Sequence, residues 1–133
     1  MRLALSLLLL LGTACQARAD RPEDPVWGKQ TCASCAMLVS APRFAAQLAT
    51  HGGEVHYFDD VGCLAAYLAQ RTQANSQAWV REETGAWVKA ELAHFESGAK
   101  TPMDYGFVLA KTGTLDWQTV RAEVSQRLEK RSP

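Results

Sequence analysis

Two thiols and a thioether fall within the segment Cys32-Ala33-Ser34-Cys35-Ala36-Met37, and a second thioether, Met103, follows Pro102 far downstream. The C-x-x-C spacing lets both sulfurs face one point, as metal ligands or as a redox pair. Met37 shifts the balance, because thioethers are weak zinc ligands but good ligands for thiophilic Cu(I). Core packing is the bland alternative for Met37. A third thiol, Cys63, closes the run Phe58-Asp59-Asp60-Val61-Gly62-Cys63, in the expected first turn of a helix. The positive end of the helix dipole lowers a thiol's pKa there and favours the thiolate that a metal needs. A small buried apolar Cys beside Gly62 is the competing reading. Asp59 and Asp60 read as the cap of that helix. Met103 lies in Thr101-Pro102-Met103-Asp104-Tyr105-Gly106, a loop leading into a strand, and loops on a rigid scaffold are where binding residues concentrate. A core Met is the alternative there too.

His51, His56 and His94 show no ligand spacing. No G-x-G-x-x-G, P-loop, H-E-x-x-H or G-x-S-x-G pattern occurs, so the common catalytic signatures are absent.

The chain begins with one cation, Arg2, and an almost unbroken Leu run to Leu11. That run has the length of a signal-peptide apolar region and is too short for a membrane-spanning helix. Two endings compete. Gly12-Thr13-Ala14-Cys15 resembles a bacterial lipoprotein box, with Leu11 one place too far from the Cys; lipid attachment at Cys15 is the preferred reading. Ala17-Arg18-Ala19 fits ordinary signal cleavage, with the mature chain starting at Asp20. Either ending implies export, to the periplasm and, with a lipid on Cys15, to a membrane surface. Outside the cytoplasm an ordinary Cys pair tends to oxidise. Once Cys15 is lipidated or removed, Cys32, Cys35 and Cys63 remain, and an odd number of thiols cannot all pair within one chain.

The mature stretch from Asp20 to Pro133 has the size of one domain and can bury a core without disulfides. Its charge is balanced, with 14 basic and 14 acidic residues overall and no run of either sign. Nothing in that balance recommends nucleic acid or an anionic membrane as a partner.

The elements that must position the sulfurs follow from periodicity and punctuation. Residues 20–31, with Pro22 and Pro25, read as a tether or extended lead-in. Met37 to Ser40, Phe44 to Ala49 and Val55 to Phe58 read as short strands around the His51-Gly52-Gly53 turn. Val61, Leu64, Ala65 and Leu68 form one apolar helical face capped by Asp59 or Asp60 and running to about Thr72. Ala78-Trp79-Val80 and Ala86-Trp87-Val88 flank a hairpin turn at Thr84-Gly85. The stretch from Trp87 to Phe95 is mixed in character, and Tyr105 to Ala110 reads as a strand. A final helix starts at Thr114 or Asp116 and buries Trp117, Val120, Val124 and Leu128. The expected class is α+β: two similar small strand-rich units, each with a helix, packed as one domain over residues 32–133.

C-x-x-C-x-M before a strand, then FDD-x-G-C-L-x-x-Y at residues 58 to 67, a Trp-containing segment and TPM-x-Y-G-F at residues 101 to 107 resemble the NosL family. The resemblance runs from the signal to about Ala110 through three ordered motifs. It implies an exported, often lipid-anchored, Cu(I)-binding protein built from a pair of similar α+β halves, related to the metal-binding part of organomercurial lyase. The family's best-known role is supplying copper for nitrous oxide reductase assembly. Carried over residue by residue, the resemblance points to Cys35, Met37 and Met103 as metal ligands, with Cys32 and Cys63 as weaker additions. The chain departs from the family pattern at Asp104, where Gly commonly follows the TPM methionine. It also lacks the His that follows that Met in some members.

The leading expectation is a non-enzymatic Cu(I) metallochaperone that hands copper to an extracytoplasmic copper enzyme. The alternatives are a thiol–disulfide protein using Cys32 and Cys35, which lacks a recognisable thioredoxin-type βαβ context, and a structural lipoprotein with inert cysteines.

Overall fold

The computed structural model describes residues 21–132. The expected signal segment, lipid attachment at Cys15 and alternative cleavage after Ala19 fall outside those residues. The chain folds as an α+β domain with two helices and two antiparallel sheets. The strands are β1 (Ala46–Ala49), β2 (Val55–Phe58), β3 (Gln77–Arg81), β4 (Trp87–Lys89), β5 (Phe95–Glu96) and β6 (Val108–Leu109). The helices are α1 (Val61–Gln70) and α2 (Trp117–Glu129). The first sheet has the order β2-β1-β3-β4, and β5 pairs with β6 in the second. Strands and a helix are followed along the chain by strands and a helix, as expected, but β3 and β4, which come after α1, join β1 and β2 in the first sheet, so the sheets do not divide the chain into two equal units.

Strand β1 is central, pairing Ala46 with both Phe58 and Val80, and all four of its residues are buried. Its sequence, Ala-Gln-Leu-Ala, has little intrinsic strand preference; pairing on both sides holds it extended. Helix α1 packs on β1 and β2, while α1 and α2 pack on each other. Residues 61 to 67 of α1 are therefore all buried, not only the expected apolar stripe. Asp60 caps α1 by accepting from Gly62 N, and Asp116 caps α2 by accepting from Thr119 N at 2.8 Å. Trp117, Val120 and Val124 are buried as the periodicity requires, with Leu128 packed at the margin. The hairpin turns where expected: Glu82 N donates to Ala86 O at 2.8 Å, and Gly85 takes a left-handed φ of 96° that favours glycine.

The lead-in before Cys32 runs without regular structure to a turn at residues 27–29 and touches the sheet at a few points. Gln47, buried in the centre of the sheet, satisfies its amide against the backbone of Glu23. The Asp24 carboxylate accepts from Trp87 Nε1 at 2.8 Å and from Arg81, whose guanidinium lies over the Trp27 ring.

Three strand expectations shrink. Over Met37–Ser40 only Leu38 pairs, in an isolated bridge to Thr31, because the run has no full-length neighbouring strand. Pro42–Phe44 forms a 3-10 turn that delays β1 to Ala46. In the Tyr105–Ala110 stretch only Val108 and Leu109 pair, since residues 101 to 106 are used in a turn.

Candidate metal centre

The Cys32–Met37 loop is a tight turn. Cys32 N donates to Met37 O at 2.7 Å and Ala36 N to Cys32 O at 3.0 Å, with Ala36 at a φ of 64°. This closure brings Cys32 and Cys35 to the same side. Ala33 N donates to Tyr57 O at 2.9 Å and ties the turn to β2. At the far end of the loop, Asp59 Oδ1 accepts from Ser40 N at 3.0 Å and Ala41 N at 3.3 Å. The chain then leaves β2 through Asp59 and Asp60 into α1, which places Cys63 in the first helical turn against the loop.

The consequence is a three-thiol cluster: the Sγ atoms of Cys32, Cys35 and Cys63 all lie within 4.8 Å of one another. Metal–thiolate bonds of about 2.3 Å separate sulfurs by about 3.8 Å in a tetrahedron and about 4.0 Å in a trigonal plane. A small contraction of the cluster therefore suits an ion. All three cysteines are free thiols. Cys32 and Cys63 are 2% and 1% exposed, while Cys35 is half-buried and forms the outward side of the cluster. Among the described residues this is the group of His, Cys, Asp and Glu side chains whose donor atoms gather closely enough to hold a metal ion.

The thiols share their protons unequally. Cys32 is pulled down to about 5, chiefly by the S–H that Cys63 donates to it, with help from backbone amides and against the cost of burial. Cys63 is pushed far up because it is that donor and because it is buried. Burial also pushes Cys35 up. At neutral pH the metal-free cluster thus holds one thiolate, at Cys32, and ligation by all three sulfurs releases the protons of the other two.

The downstream motif arrives at the same end of α1. Its turn is closed internally, with Asp104 N donating to Thr101 O at 3.1 Å and Gly106 N to Thr101 Oγ1 at 3.1 Å. Met103 N donates to Asp60 Oδ2 at 3.0 Å, and Tyr105 lies across Gly62. Asp104 has a φ of 56°, a conformation glycine adopts without steric cost and Asp tolerates better than most residues. Its side chain is exposed.

Every sulfur expected from the sequence is accounted for. Cys32, Cys35 and Cys63 converge. Met37, 58% exposed, follows the cluster by two residues, and Met103, 39% exposed, is joined to the start of α1 through its backbone. His51, His56 and His94 stand apart from the cluster; His56 faces Tyr67 and Glu54. From sequence alone Asp59 and Asp60 read as a cap, and Gly62 and Tyr105 carry no assigned role. The FDD run preceding a Gly-Cys pair carried that signal, but the partners of both carboxylates are distant in the chain.

The fold and cluster define an α+β domain with three thiols arranged to hold a metal ion. Comparison of the chain with family models, curated proteins and solved structures gave no match.

Proposed function

We propose that this protein is an exported Cu(I) carrier of the NosL type. The observation that carries the reading is the convergence of three sulfurs within 4.8 Å, on a chain whose Met37 and Met103 are exposed. Thiolate and thioether donors select a soft monovalent ion and reject hard ones. Among the described residues no fourth thiol, imidazole or carboxylate donor joins the three thiols within 4.8 Å, one short of the four-coordinate set usual for structural zinc. Cys32 and Cys63 form the buried wall of the site; Cys35, with Met37 and Met103, supplies its outward side. Copper enters and leaves from that side by exchange of sulfur ligands, without a catalytic step. The leader delivers the domain beyond the cytoplasm, and a lipid on Cys15 holds it at the membrane. The acceptor is an extracytoplasmic copper enzyme, with nitrous oxide reductase the candidate that the family resemblance names.

Loading the reduced domain with Cu(I) in competition with a chromophoric chelator tests the assignment. One ion per chain is expected, with affinity lost in Cys32→Ser, Cys35→Ser and Cys63→Ser and weakened in Met103→Ala. Unchanged affinity in the three cysteine variants would remove the site.

One observation favours thiol–disulfide exchange instead: the low pKa of Cys32, the first thiol of the C-x-x-C pair. Burial weighs against it, because a nucleophile 2% exposed cannot reach a disulfide on another protein. Catalytic reductase or isomerase activity dependent on Cys32 would reverse that judgement.

A further inference from the structure

The buried carboxylate of Asp60 makes two bonds where a helix cap needs one. Oδ1 accepts from Gly62 N at 2.8 Å, which caps α1, and Oδ2 accepts from Met103 N at 3.0 Å. The side chain is fully buried, so each oxygen answers a specific donor and neither faces solvent. Ser, Thr and Asn cap helices about as well as Asp. The cap alone therefore does not explain this residue type. The second bond does, because two N–H donors on opposite sides of one group demand two acceptors. Asn at this position would turn its own N–H donors toward one of them.

The neighbouring residue makes the complementary contact. Asp59 holds the end of the Cys32–Met37 loop through Ser40 N and Ala41 N, and Cys63 rides on the helix that both aspartates start. Three sulfur-bearing segments thus meet at two consecutive carboxylates. Of these segments, the turn carrying Met103 is closed within itself by Thr101. Its distance from Cys63 is set from outside, by Tyr105 against Gly62, by the Asp60–Met103 bond and by Arg127 Nη1 of α2, which donates to Tyr105 O at 2.7 Å.

We infer that Asp60 is a positioning residue that couples Met103 to the three-thiol site, holding the thioether-bearing turn at the helix end that presents Cys63. The inference rests on the copper reading above. Asp60 touches no metal ligand atom in this role; it acts through the backbone of Met103. Its negative charge also bears on Cys63, which it helps to keep protonated, so removing it has a second effect that an experiment must separate.

A double-mutant cycle on Cu(I) affinity makes that separation. The reduced domain is titrated with Cu(I) against a chromophoric chelator in the native protein, Asp60→Asn, Met103→Ala and the double variant. Asn retains the cap, so the helix start survives while the Met103 bond is lost. Asp60→Asn is expected to weaken Cu(I) binding by roughly tenfold to a hundredfold, the range for residues that orient metal ligands. In the Met103→Ala background the same change should have little further effect, and X-ray absorption should show the thioether sulfur leaving the copper shell in both single variants. Asp60→Ser, which caps without opposing N–H groups, gives the same test should the Asn variant fold poorly.

Fully additive losses, or a loss of thermal stability with Cu(I) affinity unchanged, would overturn the inference. The two failures are distinguishable. Silent cysteine variants would bring down the copper reading itself, whereas cysteine variants that abolish binding beside a silent Asp60→Asn would bring down only the role of Asp60.

Discussion

Tyr105 lies directly against Gly62, so that a Cβ at position 62 would overlap the Cβ and Cγ atoms of the tyrosine. This contact seats the Thr101–Gly106 turn on the first turn of α1, one residue from Cys63. Gly62→Ala would gain up to ~1 kcal/mol in helix propensity, while forced overpacking costs ~1–3 kcal/mol. The clash is with the root of the ring, which cannot swing aside without moving its backbone. We therefore expect a net loss of about 1–2 kcal/mol in urea unfolding, together with weaker Cu(I) binding. A neutral or stabilised variant would mean that the contact is not made.

The proton held between Cys32 and Cys63 makes the stability of the reduced, metal-free domain depend on pH. Cys32 ionises at about 5 in the folded protein against 9.0 in the unfolded chain. Between those values the folded state binds one proton fewer at this residue, so its contribution to stability grows as pH rises from about 5 toward 9. It is lost on acidification through 5. Cys63 and Cys35, both shifted upward from 9.0, stay protonated in folded and unfolded states alike through that window and so add no slope there. Cys63→Ala removes the main donor to Cys32 and should flatten the dependence. Urea midpoints measured across the window, with thiolate absorbance recorded alongside, check this; a native midpoint that does not rise with pH would contradict it.

Oxidation should close the site. Joining two of the three thiols transfers two electrons to the added oxidant and leaves one free thiol; one proton is released where the Cys32 thiolate is a partner and two where Cys35 joins Cys63. The sulfurs, now within 4.8 Å, must approach to about 2.05 Å to bond. Thiol titration of the domain from Asp20 is expected to fall from three to one as Cu(I) uptake disappears, with both restored by reductant. Copper uptake that survives formation of the disulfide would count against a three-thiol site.

The lead-in offers a control distant from the sulfurs. Asp24→Ala breaks the contacts with Trp87 Nε1 and Arg81 on an exposed surface, so it should cost no more than about 1 kcal/mol. Limited proteolysis before Trp27 should quicken while Cu(I) affinity stays unchanged. Coupling between this variant and copper binding would show that residues 21–31 do more than cover the sheet.

Much of the local structure was legible in the sequence. The Asp60 cap, the apolar face beginning at Val61 and the turn at Thr84-Gly85 obey rules that operate within a few residues. The same holds for Asp116 with Trp117, Val120 and Val124. Errors arose where a segment's conformation depends on distant neighbours. Met37–Ser40 has the composition of a strand, yet without a partner beyond Thr31 it yields one bridge, and Met37 and Leu38 remain exposed. The lead-in is a different case: its prolines give a tether or extended segment from sequence alone, and only the fold shows that residues 21–31 reach the buried amide of Gln47 and the ring of Trp87.

By itself the sequence determined the sulfur inventory, the α+β class and the helix start that carries Cys63, because residue chemistry and short-range periodicity encode all three. Tertiary structure decided which sulfurs meet. Cys63 is far from Cys32 and Cys35 along the chain, and Met103 is farther still; no local rule relates them. The three thiols converge because β2 feeds α1 beside the Cys32 loop, and two consecutive carboxylates, Asp59 and Asp60, accept from backbone donors on that loop and on the Met103 turn. Burial in turn sets the protonation of the cluster, since a lone thiolate inside the domain persists only where another thiol and backbone amides donate to it.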